Sequence, residues 1–289
     1  MPKLKKQPIS AVELSEFLDT SSDFAFELRC LELLSELGFQ CQHAGSYVDP
    51  ITKKSRQVDI RAQKRSKISF SVRLAVECKN LSDSFPLLMM CVPRSRDESF
   101  HELILSYDPD LVNHQSQWTI PAFRANCKII RVDHAESNYI AGAAVGKSSV
   151  QVGKGSDNSI IANDAEVFEK WSQALASAND LVYEATREGE EKNGVFFSLV
   201  LPILIVPDGT LWNVEYAENG TRSSEPARVD RCSFFIGHNY KAGDASRWRS
   251  LTISHLECVT VSGLEDLSKE FFTTGSWFPS TLGNRLPED

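Results

Sequence analysis

The 289-residue chain lacks any apolar run approaching the ~20 residues that cross a bilayer as a helix, so no membrane association is expected. It also lacks a secretory signal: "MPKLKKQPIS" opens with lysines, but no apolar stretch follows them. The seven cysteines (30, 41, 78, 91, 127, 232 and 258) are scattered, and no two form a C-x-x-C pair. That spacing argues against a zinc site or a disulfide framework and makes a reducing cytoplasm the expected compartment. The six histidines stand apart, with no pair at metal-ligand spacing, and no segment repeats.

What is present is ordinary in bulk: 42% hydrophobic and 24% charged residues, enough chain for one large core or two small ones. Net charge is −8, which alone argues against a nucleic-acid partner. The distribution changes that reading. Residues 51–80 carry nine Lys/Arg against only Asp59 and Glu77, a balance of +7, whereas residues 101–289 carry 16 basic and 26 acidic side chains. A basic stretch on an acidic body is either a phosphate-facing surface or a solvated basic hairpin. Lys53, Lys54, Arg56, Arg61, Lys64 and Arg65 are the candidate phosphate contacts.

"SAVE" at 10–13 fits a capping box opening a short helix to about Leu18. A stronger helix is expected from about Ser22 to Leu37, with Phe24, Leu28, Leu31, Leu34 and Leu37 on its apolar face and Gly38 as its stop. Strands are expected around 39–48, 56–63, 69–79 and 85–92, the first two joined as a hairpin through "DPITKKS". Residues 95–163 show little assignable structure and read as an insertion. A long helix begins at Asp164 as its cap and runs to about 191. "FFSLVLPILIV" and "TLWNVEY", separated by Pro207-Asp208-Gly209, read as a second hairpin, followed by two strands and a closing helix. The domain reading is a helical extension over 1–20, a single domain over 21–275 containing the insertion, and a polar tail over 276–289. The fold class is α/β, a central mixed β-sheet flanked by helices.

"SVRLAVECKN", residues 71–80, divides by strand alternation: Val72, Leu74, Val76 and Cys78 point one way, and Arg73, Ala75, Glu77 and Lys79 the other. In the preceding strand Asp59 lies opposite the apolar Val58, Ile60 and Ala62, so pairing of the two strands sets Asp59 beside Glu77. Adjacent carboxylates repel unless a cation sits between them, and oxygen ligands suit Mg²⁺. Glu27 falls on the apolar stripe of the earlier helix, facing the sheet.

Asp59, then Glu77-Cys78-Lys79, with Glu27 on a preceding helix, resembles the PD-(D/E)xK nuclease superfamily, with Val58 in place of the proline of the name. The bare tripeptide is weak, since Glu190-Glu191-Lys192 matches it too. The first match is set apart by ending an apolar strand within the basic stretch. The resemblance covers the N-terminal 80 residues and the helix at 164–188, and says little of 95–163. It implies a restriction-endonuclease-like core with a long insertion and an extra C-terminal hairpin. It also implies Mg²⁺, or Mn²⁺ in its place, held by Asp59, Glu77, the carbonyl of Cys78 and Glu27, with Lys79 assisting the attacking water. Gln173 resembles a helix glutamine near the active site of some relatives. The expected activity is hydrolysis of DNA phosphodiester bonds by an endonuclease of restriction, defence or repair. RNA stays open as a substrate, as does a homodimer or a defence-complex partner. The alternative is a catalytically silent DNA-binding or protein-interaction subunit of the same fold. "GAAVGKSS" at 142–149 is one residue short of a P-loop, and Lys147 is expected in a loop near phosphates.

Overall fold

Glu13 accepts a hydrogen bond from the Ser10 N–H at 2.8 Å while Ser10 Oγ accepts from the Glu13 N–H at 3.3 Å, and this reciprocal cap opens α1 (Ala11–Thr20). The computed structural model describes residues 7–20, 22–49, 53–66, 70–108, 127–133, 137–240 and 250–272, so the 276–289 tail lies outside the described residues. α2 (Phe24–Glu36) ends at Gly38, whose φ of +84° only glycine adopts without strain. There the Phe39 N–H donates to the Leu34 carbonyl and the Gly38 N–H to that of Ser35, which closes a Schellman turn.

The buried stripe of α2 is Phe26, Cys30 and Leu34, whereas Phe24 and Leu28, expected inside, are exposed. The helix is apolar around most of its circumference, and both sets satisfy helical spacing. The sheet beneath selects one of them.

β1 (Gln40–His43), β2 (Ser46–Val48), β3 (Ser55–Gln57) and β4 (Ile60–Arg65) form the expected hairpin in two stages, β2 pairing β3 and β1 pairing β4, both antiparallel. β5 (Phe70–Cys78) runs antiparallel to β4 with Ile60 opposite Val76. β6 (Leu87–Pro93) leads into the segment read as an insertion, which is far from structureless. It supplies β7 (Phe100–Tyr107), β8 (Cys127–Asp133), β9 (Ala144–Lys154) and β10 (Ile160–Asn163). β9 alternates small and polar residues with valines because both its edges are paired, by β6 and by β14 introduced below, while its faces are only partly covered. Its sequence therefore carries little apolar signal. Lys147 lies within it, ion-paired with Glu98.

α3 (Ala165–Lys192) follows. Its first N–H is met by the Asn163 side chain at 3.1 Å rather than by Asp164, which caps with no side-chain bond. Then come β11 (Val195–Val206), β12 (Leu211–Glu215), β13 (Ala227–Arg228), β14 (Arg231–Tyr240), β15 (Leu251–Thr260) and α4 (Val261–Phe272). The expected hairpin of β11 with β12 does not form. The turn at Pro207–Gly209 exists, with Gly209 at φ +81°, but β12 pairs β6 and β13, while β11 pairs β5 and β15 in parallel and β7 antiparallel. β11 is buried along almost its whole length because helices cover both of its faces, the setting of a parallel strand in the middle of a sheet. The antiparallel pair of this region is β14 with β15.

Among the described residues thirteen strands make one mixed sheet flanked by helices. One face, with Val72, Leu74, Val76, Cys78, Leu199, Leu201 and Ile203, packs on α2 and α4. The other, with Ala75, Val200, Leu204 and Leu256, packs under α3. α3 lies so close that a Cβ on Gly189 would collide with the Tyr107 backbone. The order β1–β4–β5–β11–β15, with α3 crossing from the β5 side to β11, sets the carboxyl ends of three parallel strands side by side under the start of α3. Among the described residues no helix is long and apolar enough to cross a membrane.

Candidate functional site

The β4–β5 register, continued one step past Ile60 and Val76, sets Asp59 opposite Glu77. Asp59 sits in the bend between β3 and β4, anchored by its carbonyl, which accepts the Ala44 N–H at 2.8 Å. Its Oδ2 accepts the N–H of Cys78 at 2.8 Å and so ties the two strand ends together. Glu77, on the face under α3, is completely buried. Between the two carboxylates stands a residue the sequence reading had not singled out. Lys170 of α3 donates from Nζ to Asp59 Oδ2 at 2.7 Å and to Glu77 Oε2 at 3.1 Å. Glu77 Oε1 is buried with no hydrogen-bonding partner among the described residues.

Burial, followed by the negative Asp59 beside it and opposed by the Lys170 ammonium, pushes the Glu77 carboxyl up to about 9. The same pair of carboxylates holds Lys170 above its ordinary value, against the desolvation that would lower it. Glu27 is raised by burial first and then by the charge of Asp59, so it lies within electrostatic reach of the pair, although its hydrogen-bond contact is His43 Nε2 at 3.4 Å.

The other expected residues lie elsewhere. Lys79 does not join Asp59 and Glu77; its Nζ lies 3.3 Å from Asp23 Oδ2, at the start of α2, and 3.1 Å from Glu166 Oε2, on the first turn of α3. Its N–H continues the β5–β11 ladder by donating to the Ile205 carbonyl at 2.9 Å, and the carboxylates at the starts of α2 and α3 hold its side chain. Gln173 reaches Glu169 at 3.4 Å, away from the pair, because Lys170, Ala174 and Ala178 form the face of α3 turned to the sheet. Cys78 points its side chain to the opposite face, into the core with α2.

The basic stretch is largely neutralised by α3. Arg61 pairs with Asp180 at 2.9 Å and Glu184 at 3.7 Å, and Arg65 pairs with Glu188. Arg73 reaches Glu188 at 2.8 Å and Glu184 at 3.2 Å. Arg56 pairs with Asp49 at 3.0 Å, and Lys64 donates to the Leu37 carbonyl at 2.7 Å. Lys53 and Lys54 stay exposed. The +7 balance along the chain is therefore not a +7 surface.

Does the pair suit a hard divalent ion? The donors are carboxylate oxygens, and Glu77 Oε1 is buried without a partner among the described residues, which fits. Among the described residues no three His, Cys, Asp or Glu side chains gather closely enough to hold a metal by themselves. The seat between Oδ2 and Oε2 is taken by Lys170. A signal for Lys170 existed in the sequence: it is a charged residue on the inward stripe Val167, Lys170, Trp171, Ala174 and Ala178, as Glu27 is on α2. Set against family models, curated proteins and solved structures, the chain matches none.

Proposed function

We propose that this chain is a Mg²⁺-dependent nuclease of restriction-endonuclease-like fold that hydrolyses DNA phosphodiester bonds. One observation carries the reading: Asp59 and Glu77 converge at the carboxyl end of β5, with Glu77 wholly buried and one of its oxygens unpartnered among the described residues. Burial of a carboxylate beside another is costly, and such costs concentrate at sites that work. The surrounding arrangement supports it: α2 and the antiparallel strands β1, β4 and β5 lie beside the pair, and after β6–β10 the helix α3 leads into β11, parallel to β5. The outer ends of parallel strands are also where open sheets bind ligands.

Asp59 and Glu77 would hold the ion with the Cys78 carbonyl, and Glu27 would support them from α2. The bound ion supplies Lewis acidity at phosphorus and a more acidic water. Lys79, near the same strand end, presents a positive charge to the phosphate and orients the attacking water. Lys53 and Lys54, on the β2–β3 hairpin, contact the backbone of the nucleic acid.

The test is linear and plasmid DNA with Mg²⁺, comparing wild type with Asp59→Ala and Lys79→Ala. Loss of cleavage in both variants is expected; equal residual activity in all three proteins sinks the assignment. RNA in competition at fixed salt sets the substrate class. A second reading, a catalytically silent DNA-binding or protein-interaction subunit, is favoured by the Lys170 ammonium in the cation seat and by the pairing of Arg61 and Arg65 with α3.

A further inference from the structure

We propose that Lys170 is the resident cation of the carboxylate site and that a divalent ion enters only by displacing it. The inference rests on the metal-site reading above and adds its regulation. Nζ of Lys170 lies 2.7 Å from Asp59 Oδ2 and 3.1 Å from Glu77 Oε2, in the space that a cation shared by both would take. Two cations do not share it, because like charges at ~3 Å in a part-buried site repel by several kcal/mol. The ammonium carries one charge, and its two contacts leave Glu77 Oε1 without a partner among the described residues, a deficit that a doubly charged ion with six or more oxygen ligands removes.

The displaced side chain has a receiver. Glu166 precedes Lys170 by one helical turn, in the favourable Glu-to-Lys order, and is largely exposed. It now holds Lys79 at 3.1 Å. When Lys170 swings to Glu166, two ammoniums share that carboxylate and its hold on Lys79 weakens, while Asp23 keeps its contact. Entry of the ion and loosening of Lys79 are thereby coupled through Glu166. Without metal the site is a closed ion cluster.

Mn²⁺ binding to the full chain, counted from the free-ion paramagnetic resonance signal, tests this without reference to activity. Lys170→Met keeps the unbranched stem of the side chain as far as Cε and removes the charged end. It should bind Mn²⁺ at least tenfold tighter than wild type, and Asp59→Asn should abolish binding in both backgrounds. Equal affinity in wild type and Lys170→Met, with binding still lost on Asp59→Asn, overturns the competition and leaves the metal site standing. No Asp59-dependent binding in any protein overturns the metal site and the competition together. Should Lys170→Met fold poorly on its own, millimolar Mn²⁺ should restore its cooperative melt and raise its midpoint more than that of wild type. A melt unmoved by Mn²⁺ overturns the proposal by a second route.

Discussion

The ammonium of Lys170 stands 2.7 Å from Oδ2 of Asp59, across 111 residues of chain, and the contact joins α3 to the strand ends of β4 and β5. Both groups are mostly shielded, with side-chain exposures of 17% and 14%. Removing one partner of such a pair leaves the other uncompensated, at about 3 kcal/mol or more. Lys170→Ala should therefore lower the free energy of unfolding by roughly that amount in metal-free buffer. Urea denaturation followed by far-ultraviolet circular dichroism measures it. A change below about 1 kcal/mol would place this pair among weak surface contacts and remove its claim to organise the site.

Glu77 gives a prediction of opposite sign. Its folded carboxyl is raised from 4.5 to about 9. A raised group contributes stability that is present at low pH and is lost as pH climbs from about 4.5 toward 9, at ~1.4 kcal/mol per unit. Glu77→Gln removes that loss, because the amide mimics the neutral acid. The variant should be more stable than wild type at pH 8, and its advantage should shrink toward zero by pH 5. A difference independent of pH would show that the carboxyl titrates normally.

Parts of this architecture can be read directly from the residues, and others cannot. Local chemistry suffices for the Ser10–Glu13 cap, for Gly38, and for the alternation that separates Val76 from Glu77, because each involves neighbours in the chain. Asp59 beside Glu77 was legible for the same reason, as two strands joined by a short connection have few registers. Lys170 shows in the sequence only as a charge on the inward stripe of its helix; its partners lie 93 and 111 positions away, and nothing local names them. The pairing of β11 with β5 and β15 rather than β12 is likewise long-range, and a Pro-Asp-Gly turn looks the same whether or not its strands pair. The basic stretch misled by omission: counting charge along 51–80 could not see Asp180, Glu184 and Glu188 folding back from α3.

His101 and His255 make the chain acid-sensitive. Both are buried almost completely. Desolvation pulls His101 down to about 3 and His255 further, the latter helped by the adjacent Arg94. Arg94 Nε donates to His255 Nε2 at 3.2 Å, so a proton there would set two donors face to face. A depressed histidine contributes stability that is present above 6.5 and is lost as pH falls below it. Each costs ~1.4 kcal/mol per unit, about 4 kcal/mol for both at pH 5. Glu77 gains stability over the same interval, so wild type should show a muted response, and Glu77→Gln should expose the full acid loss. Urea midpoints at pH 7 and pH 5 in the two proteins read the difference. A Glu77→Gln midpoint that does not fall faster than that of wild type contradicts the assignment.

Glu188 is the last buried charge with consequences. It is 2% exposed and takes Arg73 at 2.8 Å, Lys192 at 2.7 Å and Arg65 as well. These cations hold its carboxyl below the usual range despite burial. The three cations converge on one side chain of α3, so its loss strands a buried Arg73 more severely than any one cation's loss strands Glu188. Glu188→Ala should cost about 3–5 kcal/mol, and Arg65→Ala, whose partner keeps two other cations, under about 1 kcal/mol. Glu188→Ala also frees Arg65 to solvent. If the β4–β5 face meets nucleic acid, DNA binding by the surviving folded fraction should tighten, with a steeper dependence on salt. Filter binding across a salt series reads that slope. An unchanged slope would show that the face does not meet a phosphate backbone, and the carboxylates of α3 then serve the fold alone.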